Sequence, residues 1–85
     1  MKYFVYILQS EKDKKFYIGV TSDLQKRLDY HNRGANDSTR HRRPLKIVYF
    51  EEFEDKHSSF QREFFLKSPK GFLEKKRIIE NLNSA

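Results

Sequence analysis

Tyr6 and Tyr17 stand in the middle of two short apolar runs, YFVYIL and FYIGV, joined by the polar link QSEKDKK. Two phenols held side by side can handle a proton or fix a water molecule. A free phenol titrates at about pH 10, so it serves as a base only with help from a cation, a metal or an imidazole. Arg27 and His31 follow, four residues apart. The planar fork of an arginine suits a phosphate and keeps its charge. A neutral imidazole can accept a proton or orient a neighbouring hydroxyl. Glu63 offers a hard oxygen donor of the kind Mg²⁺ takes, with phosphate oxygens supplying further ligands. Arg40, Arg42, Arg43 and Lys46, with His41 among them, make a dense basic segment suited to polyphosphate contact.

Each of these residues also has a plainer reading. The tyrosines could be a cross-strand aromatic pair worth about 0.2–1 kcal/mol. Arg27 could reach solvent while His31 tucks against aromatics. Glu63 lies four residues before Lys67, an ordinary helical pair worth ~0.3–0.5 kcal/mol. Gly19, two residues after Tyr17, marks a bulge or a place where something must come close. The basic segment could be a solvated loop.

The elements that would position these groups are legible in the chain. Residues 3–9 and 16–21 are predicted strands. Pairing Leu8 with Lys15 sets Tyr6 opposite Tyr17; a two-residue slip keeps them on one face, and a one-residue slip separates them. Ser22 as N-cap with Gln25 three residues on reads as a capping box opening a helix to about Asn32, stopped by Arg33-Gly34. Leu24 and Leu28 are its core positions, so Arg27 and His31 point to the helix–sheet seam. Residues 35–44 read as a loop. Residues 45–53 are a third strand, apolar enough to be central. Asp55 caps a helix from Lys56, with Phe60, Phe64 and Lys67 on one side. Ser68 and Pro69 open a last helix with Phe72, Ile79 and Leu82 on its stripe. The expected fold is α+β: a three-stranded antiparallel sheet flanked by helices, in the order β-β-α-β-α-α.

Composition narrows the function classes. The 85 residues make one domain, expected to span 1–85. Only 36% are apolar, and eight Phe and five Tyr compensate in a small core. The absence of cysteine excludes a disulfide framework, a thiolate metal site and a thiol nucleophile. No apolar run approaches the ~20 residues of a membrane helix, and no signal-peptide pattern is present, so a cytoplasmic protein without membrane contact is expected. The formal net charge of +6 favours a polyanionic partner.

Over residues 3–80 the chain resembles the GIY-YIG nuclease superfamily, in its small single-domain bacterial branch, and is similar to the nuclease module of the excision-repair endonuclease C subunit. The first motif stands here as Phe4-Val5-Tyr6 and the second as Tyr17-Ile18-Gly19. The segment TSDLQKRLDYHN is similar to the family's arginine-bearing helix, and RRPLKIVYFEEFEDKHSSFQREFFLKS to the remainder. Phe4 and Val5 replace the Gly and Ile of the first motif, and Val20 stands where the excision-repair members carry a lysine. The resemblance implies a DNA endonuclease using one Mg²⁺ or Mn²⁺ ion, structure-selective rather than sequence-specific. It implies that Tyr17 helps deprotonate the attacking water, Tyr6 lines the site, Arg27 stabilises charge on the phosphate, His31 acts near the nucleophile, Glu63 binds the metal and Gly19 is the second-motif glycine. With no separate specificity domain expected, DNA shape or a protein partner would direct cleavage. The alternative is a nucleic-acid-binding module with the same fold and little turnover.

Overall fold

The two apolar runs pair as an antiparallel hairpin, β1 (Tyr3–Ser10) and β2 (Phe16–Thr21). In this computed structural model residues 1–82 are described; the last three residues of the expected 1–85 domain lie outside them. The turn is closed by the buried Ser10, whose hydroxyl accepts from Lys12 N at 3.0 Å and Asp13 N at 3.1 Å and donates to the carbonyl of Arg42 at 2.5 Å. That bond ties the hairpin turn to the basic segment.

Helix α1 (Leu24–Asn32) follows, and its N-cap is Asp23 rather than Ser22. The Asp23 carboxylate accepts from Lys26 N at 3.0 Å. Asp is as good a cap as Ser, and the start of the helix one residue later leaves the spacing of Arg27 and His31 to Leu24 and Leu28 unchanged. At the far end Gly34, at φ +82°, takes the left-handed conformation that ends many helices. The 35–44 loop contains a 3-10 turn, Arg40–Arg42, and leads into β3 (Leu45–Phe53).

The sheet order is β2-β1-β3, so β1 is central and β3 is an edge, correcting the expected central position of residues 45–53. The reason lies in the side chains. Val5, Tyr6, Ile7 and Leu8 are all buried on β1, whereas β3 exposes Lys46, Phe50 and Glu52. Only a strand covered on both faces can bury consecutive residues. A bulge opposite Ile7 and Leu8 shifts the β3 register.

Helices α2 (Lys56–Lys67) and α3 (Phe72–Leu82) cover one face of the sheet. Asp55 caps α2 as expected, accepting from Ser58 N at 2.7 Å. The buried side of α2 is not the Phe60–Phe64 side. Ser59 and Leu66 are buried, with Arg62 and Glu63 partly so, whereas Phe60 and Phe64 are exposed. Positions 59, 62, 63 and 66 form one helical face, rotated from the aromatic one by about one residue step. Arg62 fixes this rotation through a two-pronged pair with Glu51 of β3, both contacts 2.8 Å, and a third contact to Glu74 of α3 at 3.3 Å. Ser68 does not cap the last helix with its side chain; a 3-10 turn, Pro69–Gly71, intervenes. Ile78 is the buried residue of α3, with Ile79 and Leu82 half-buried beside it, while Phe72, the first residue of the expected stripe, is exposed, as is Leu73.

The two faces of β1 sort the core. Val5, Ile7, Ile18, Leu66 and Ile78 pack beneath α2 and α3. Tyr6, Leu8 and Leu45 pack on the opposite face, against Tyr17, Leu24, Leu28 and Ile47.

Candidate functional site

Tyr6 pairs with Gly19, and Leu8 pairs with Tyr17. The register is therefore two residues from the one that sets Tyr6 directly opposite Tyr17. Both tyrosines stay on the same face, as diagonal neighbours. Gly19 is not a bulge. A β-carbon there would come within 2.6 Å of Cζ of Tyr6, so the glycine clears the space across which the Tyr6 ring lies.

His31 fills the angle between the two tyrosines. Its ring centroid is 6.0 Å from that of Tyr6 and 5.1 Å from that of Tyr17, edge-on to both. Its Nε2 is 3.0 Å from Tyr6 Oη and its Nδ1 is 2.8 Å from Thr39 Oγ1. His31 and Thr39 are fully buried, and Tyr6 is 2% exposed. Burial pushes the imidazole down to about 4, and the nearby charge of Arg27 acts in the same direction. Burial pushes the Tyr6 phenol up to about 12, against a smaller opposing pull from Arg27. At neutral pH this is a neutral phenol on a neutral imidazole, beneath the surface.

Four side chains surround this buried pair. Arg27 donates Nε–H to Tyr6 Oη at 3.4 Å, and its guanidinium carbon lies 4.6 Å from the centroid of Tyr30. Its position along the seam is the one the helical spacing predicts. Tyr17 is half-buried. Glu63 belongs to α2, which packs on the other face. Its charge is felt at the Tyr6 hydroxyl. Lys67, paired with Glu63 at 3.1 Å, holds its ammonium 5.6 Å from the centroid of Tyr17. Tyr6, Tyr17, Arg27 and His31 are thus brought to one face of the sheet, and Glu63 is linked to them through its charge at Tyr6 and its pair with Lys67.

Glu63 is the carboxylate available to a divalent ion here. Among the described residues no group of three His, Asp or Glu is placed to enclose one. Mg²⁺ nonetheless binds through one or two carboxylates when waters and phosphate oxygens complete its shell. The donor set fits an ion of that kind, recruited with a phosphate.

The four predicted nucleic-acid contacts divide. Arg42 is internal to the fold: Nε is 3.3 Å from Asp13 Oδ2 as an ion pair, and Nη2 donates to the Phe16 carbonyl at 3.4 Å. Lys46 pairs with Glu11 at 3.1 Å on the surface. Arg40 and Arg43 instead line an open cavity of about 470 Å³ together with Lys12, Asn32, His41 and Pro44. Arg43 donates to the Arg40 carbonyl at 2.8 Å, and its guanidinium lies over Gly34, where a β-carbon would sit 3.1 Å from Cζ. Lys12 donates to the His41 carbonyl at 3.3 Å.

Thr39, Lys67, Lys12 and Tyr30 are site-lining residues that sequence reasoning passes over. Lys67 had a signal, its spacing from Glu63. Tyr30 had one too, lying three residues after Arg27. Thr39 and Lys12 sit in a loop and a turn without periodicity.

A tyrosine–glycine hairpin and a helix carrying Arg and His against it define a small α+β domain with one polar, tyrosine-lined face. The chain belongs to the GIY-YIG catalytic domain family, whose model matches residues 2–77. It is 46% identical over 65 residues to a UPF0213 protein of Clostridium perfringens, covering 75% of this chain and 69% of that protein. It is 38% identical over 69 residues to a UPF0213 protein of Limosilactobacillus reuteri, covering 78% and 71%. A solution NMR structure of a UPF0213 protein from Bacillus halodurans superimposes with a TM-score of 0.55 at 29% identity, covering 94% of this chain and 84% of that one. The order of strands and helices agrees with that neighbour. No helix among the described residues is long and apolar enough to cross a membrane.

Proposed function

We propose that this protein is a metal-dependent DNA endonuclease, selecting its substrate by structure rather than by sequence and acting as a single domain in the cytoplasm. Membership of the GIY-YIG family supports a nuclease-type function. The observation that carries the reading further is the gathering of Tyr17, Arg27 and the Glu63–Lys67 pair around the buried Tyr6–His31 contact.

In this reading the Arg27 guanidinium grips the scissile phosphate. Among the described residues its terminal nitrogens have no hydrogen-bond partner, so the fork is free for a bidentate contact. Tyr17 first gives its own hydroxyl proton to solvent, favoured by the positive charge of Arg27 and Lys67, and the phenolate Oη then takes the proton of the attacking water. The water oxygen bonds to phosphorus, the bond to the leaving oxygen breaks, and solvent reprotonates the leaving group. Tyr6 and His31 are too buried to meet substrate; they hold the floor of the site. Glu63 would hold a Mg²⁺ or Mn²⁺ ion, which supplies Lewis-acid polarisation of the phosphoryl oxygens. Fixed positive charge at Arg27 and Lys67 offsets the charge that develops on phosphorus. Arg40, Arg43 and Lys12 hold a neighbouring stretch of the phosphate backbone.

The test is nicking of branched, flapped and single-stranded DNA with Mg²⁺ or Mn²⁺ by the wild type, Arg27→Ala and Glu63→Ala. Loss in both variants is expected; equal activity in all three would trace the cleavage to a contaminant and sink the reading. One observation favours the alternative, a binding module with little turnover: the carboxylate a metal would need is already held by Lys67. Salt-dependent binding without cleavage under any metal would establish it.

A further inference from the structure

We infer that the outer face of α2 is a stacking platform for single-stranded DNA: Phe60 and Phe64 each receive a base, and Lys56 and Lys67, at the two ends of the stripe, meet the phosphates on either side. This rests on the nuclease reading above only in taking the strand held here to be the one that is cut; the binding itself stands apart from it.

The rotation of α2 that seats Leu66 and Arg62 leaves two large rings outside the core. Phe64 is 76% exposed and Phe60 45%. Four residues apart, they stand one above the other on adjacent turns, about 6 Å along the helix axis. Lys56 lies one turn before Phe60, with its ammonium 5.6 Å from the centroid of that ring. Lys67 lies three residues after Phe64, paired with Glu63 at 3.1 Å and 5.6 Å from the centroid of Tyr17. The order along the helix is therefore cation, ring, ring, cation, and the last cation already stands at the candidate site. Glu63 follows Phe60 by three residues and precedes Phe64 by one, so the rings adjoin the carboxylate a metal would use.

Charge selects the occupant. Glu63 is the single acid within Lys56–Lys67, and Lys67 pairs with it. Asp55, the capping residue, has one carboxylate oxygen on the Ser58 amide at 2.7 Å and the other on the Ser58 hydroxyl at 3.0 Å. What the stripe presents is aromatic and positive. A second copy seated on it about a two-fold axis would bring Lys56 of one chain towards Lys67 of the other, like charge against like. A single strand answers both features, because every base has a face that can stack on a ring while the cations track the backbone. In a duplex the bases are stacked on one another, and only the phosphates are offered to this face. The platform thereby lets a small domain tell a flap or single strand from a duplex.

The experiment follows the fluorescence anisotropy of a labelled single-stranded oligonucleotide and of the matching duplex, in EDTA so that no cleavage intervenes. Wild type, Phe64→Ala, Phe64→Trp and Lys56→Ala are compared over a range of salt concentrations. Phe64→Ala is expected to weaken single-strand binding roughly tenfold, the scale of one lost base–ring stack, with duplex binding unchanged and Phe64→Trp restoring the affinity. The ring carries no charge, so Phe64→Ala should leave the slope of log K against log salt where it is, whereas Lys56→Ala should reduce that slope by about 0.7. Single-strand affinity unaltered in Phe64→Ala, or an equal loss on the duplex, overturns the proposal. So does self-association in sedimentation that Phe64→Ala abolishes without changing strand affinity, which would assign the face to a second copy. The expected binding without cleavage under any metal overturns the nuclease reading and leaves the platform established. Metal-dependent cleavage with strand affinity unaltered in Phe64→Ala does the reverse.

Discussion

The two faces of the central strand are built on different principles. Under α2 and α3 the interior is aliphatic: Val5, Ile7, Ile18, Leu66 and Ile78, with the Arg62–Glu51–Glu74 ion group at its margin. Under α1 the alternate residues of the same strand meet a buried polar chain, Thr39 to His31 to Tyr6, ending at Arg27. The aliphatic face tolerates imperfect partners, because burial is non-directional. The polar face does not, because each member must find its donor or acceptor. A chain of only 85 residues that places so many buried hydrogen-bonding groups on one face gives up apolar burial there. We attribute that choice to the site.

The largest change in stability should come from the aliphatic face. Leu66 is 1% exposed, and Leu66→Ala should cost about 2–5 kcal/mol in urea unfolding while leaving the rate per folded molecule intact. A similar loss of rate would mean the faces are not separable.

Acid should act through the polar face. The imidazole of His31 is held at about 4 in the fold against 6.5 for a free one, so the unfolded chain takes up the proton first. Stability is then full above pH 6.5 and falls as the pH drops towards 4, by ~3 kcal/mol in all. Glu51 and Asp55 are held below the usual carboxylate range, Glu51 mainly by its hydrogen bonds from Arg62 and Asp55 by the Ser58 amide, so their contributions fade only at lower pH. Denaturation midpoints between pH 7 and pH 5 test this, and a flat profile would contradict it.

Gly19→Ala should have a smaller effect, about 1–3 kcal/mol, because the added methyl must push the Tyr6 ring aside. The more telling readout is the His31 ring, whose contact with Tyr6 should lengthen. An unchanged His31 spectrum would show that Gly19 is not what seats Tyr6.

Much of this was legible in the chain. The strands, the Asp55 cap and the Arg27–His31 seam follow from alternation and helical spacing, which are local. Parity put Tyr6 and Tyr17 on one face. The register itself was not legible, because it is set by Ser10 closing the turn and by Gly19 receiving the Tyr6 ring. Counting apolar residues favours the Phe60 and Phe64 side of α2, whereas Arg62 meeting Glu51 and Leu66 entering the core decide the rotation. Thr39 could not be found by pattern at all. It reaches His31 from a loop with no period, and only the fold brings the two together.

The central claim is that the polar face cleaves phosphodiester bonds and the aliphatic face only supports it. Single-turnover cleavage of a flapped DNA, at matched concentrations of folded protein, compares Arg27→Ala with Leu66→Ala most directly. The account predicts a loss of about 10²–10³ for Arg27→Ala, the scale of one transition-state charge contact, and little change for Leu66→Ala. Equal rates for the two variants, or a greater loss for Leu66→Ala, would contradict it.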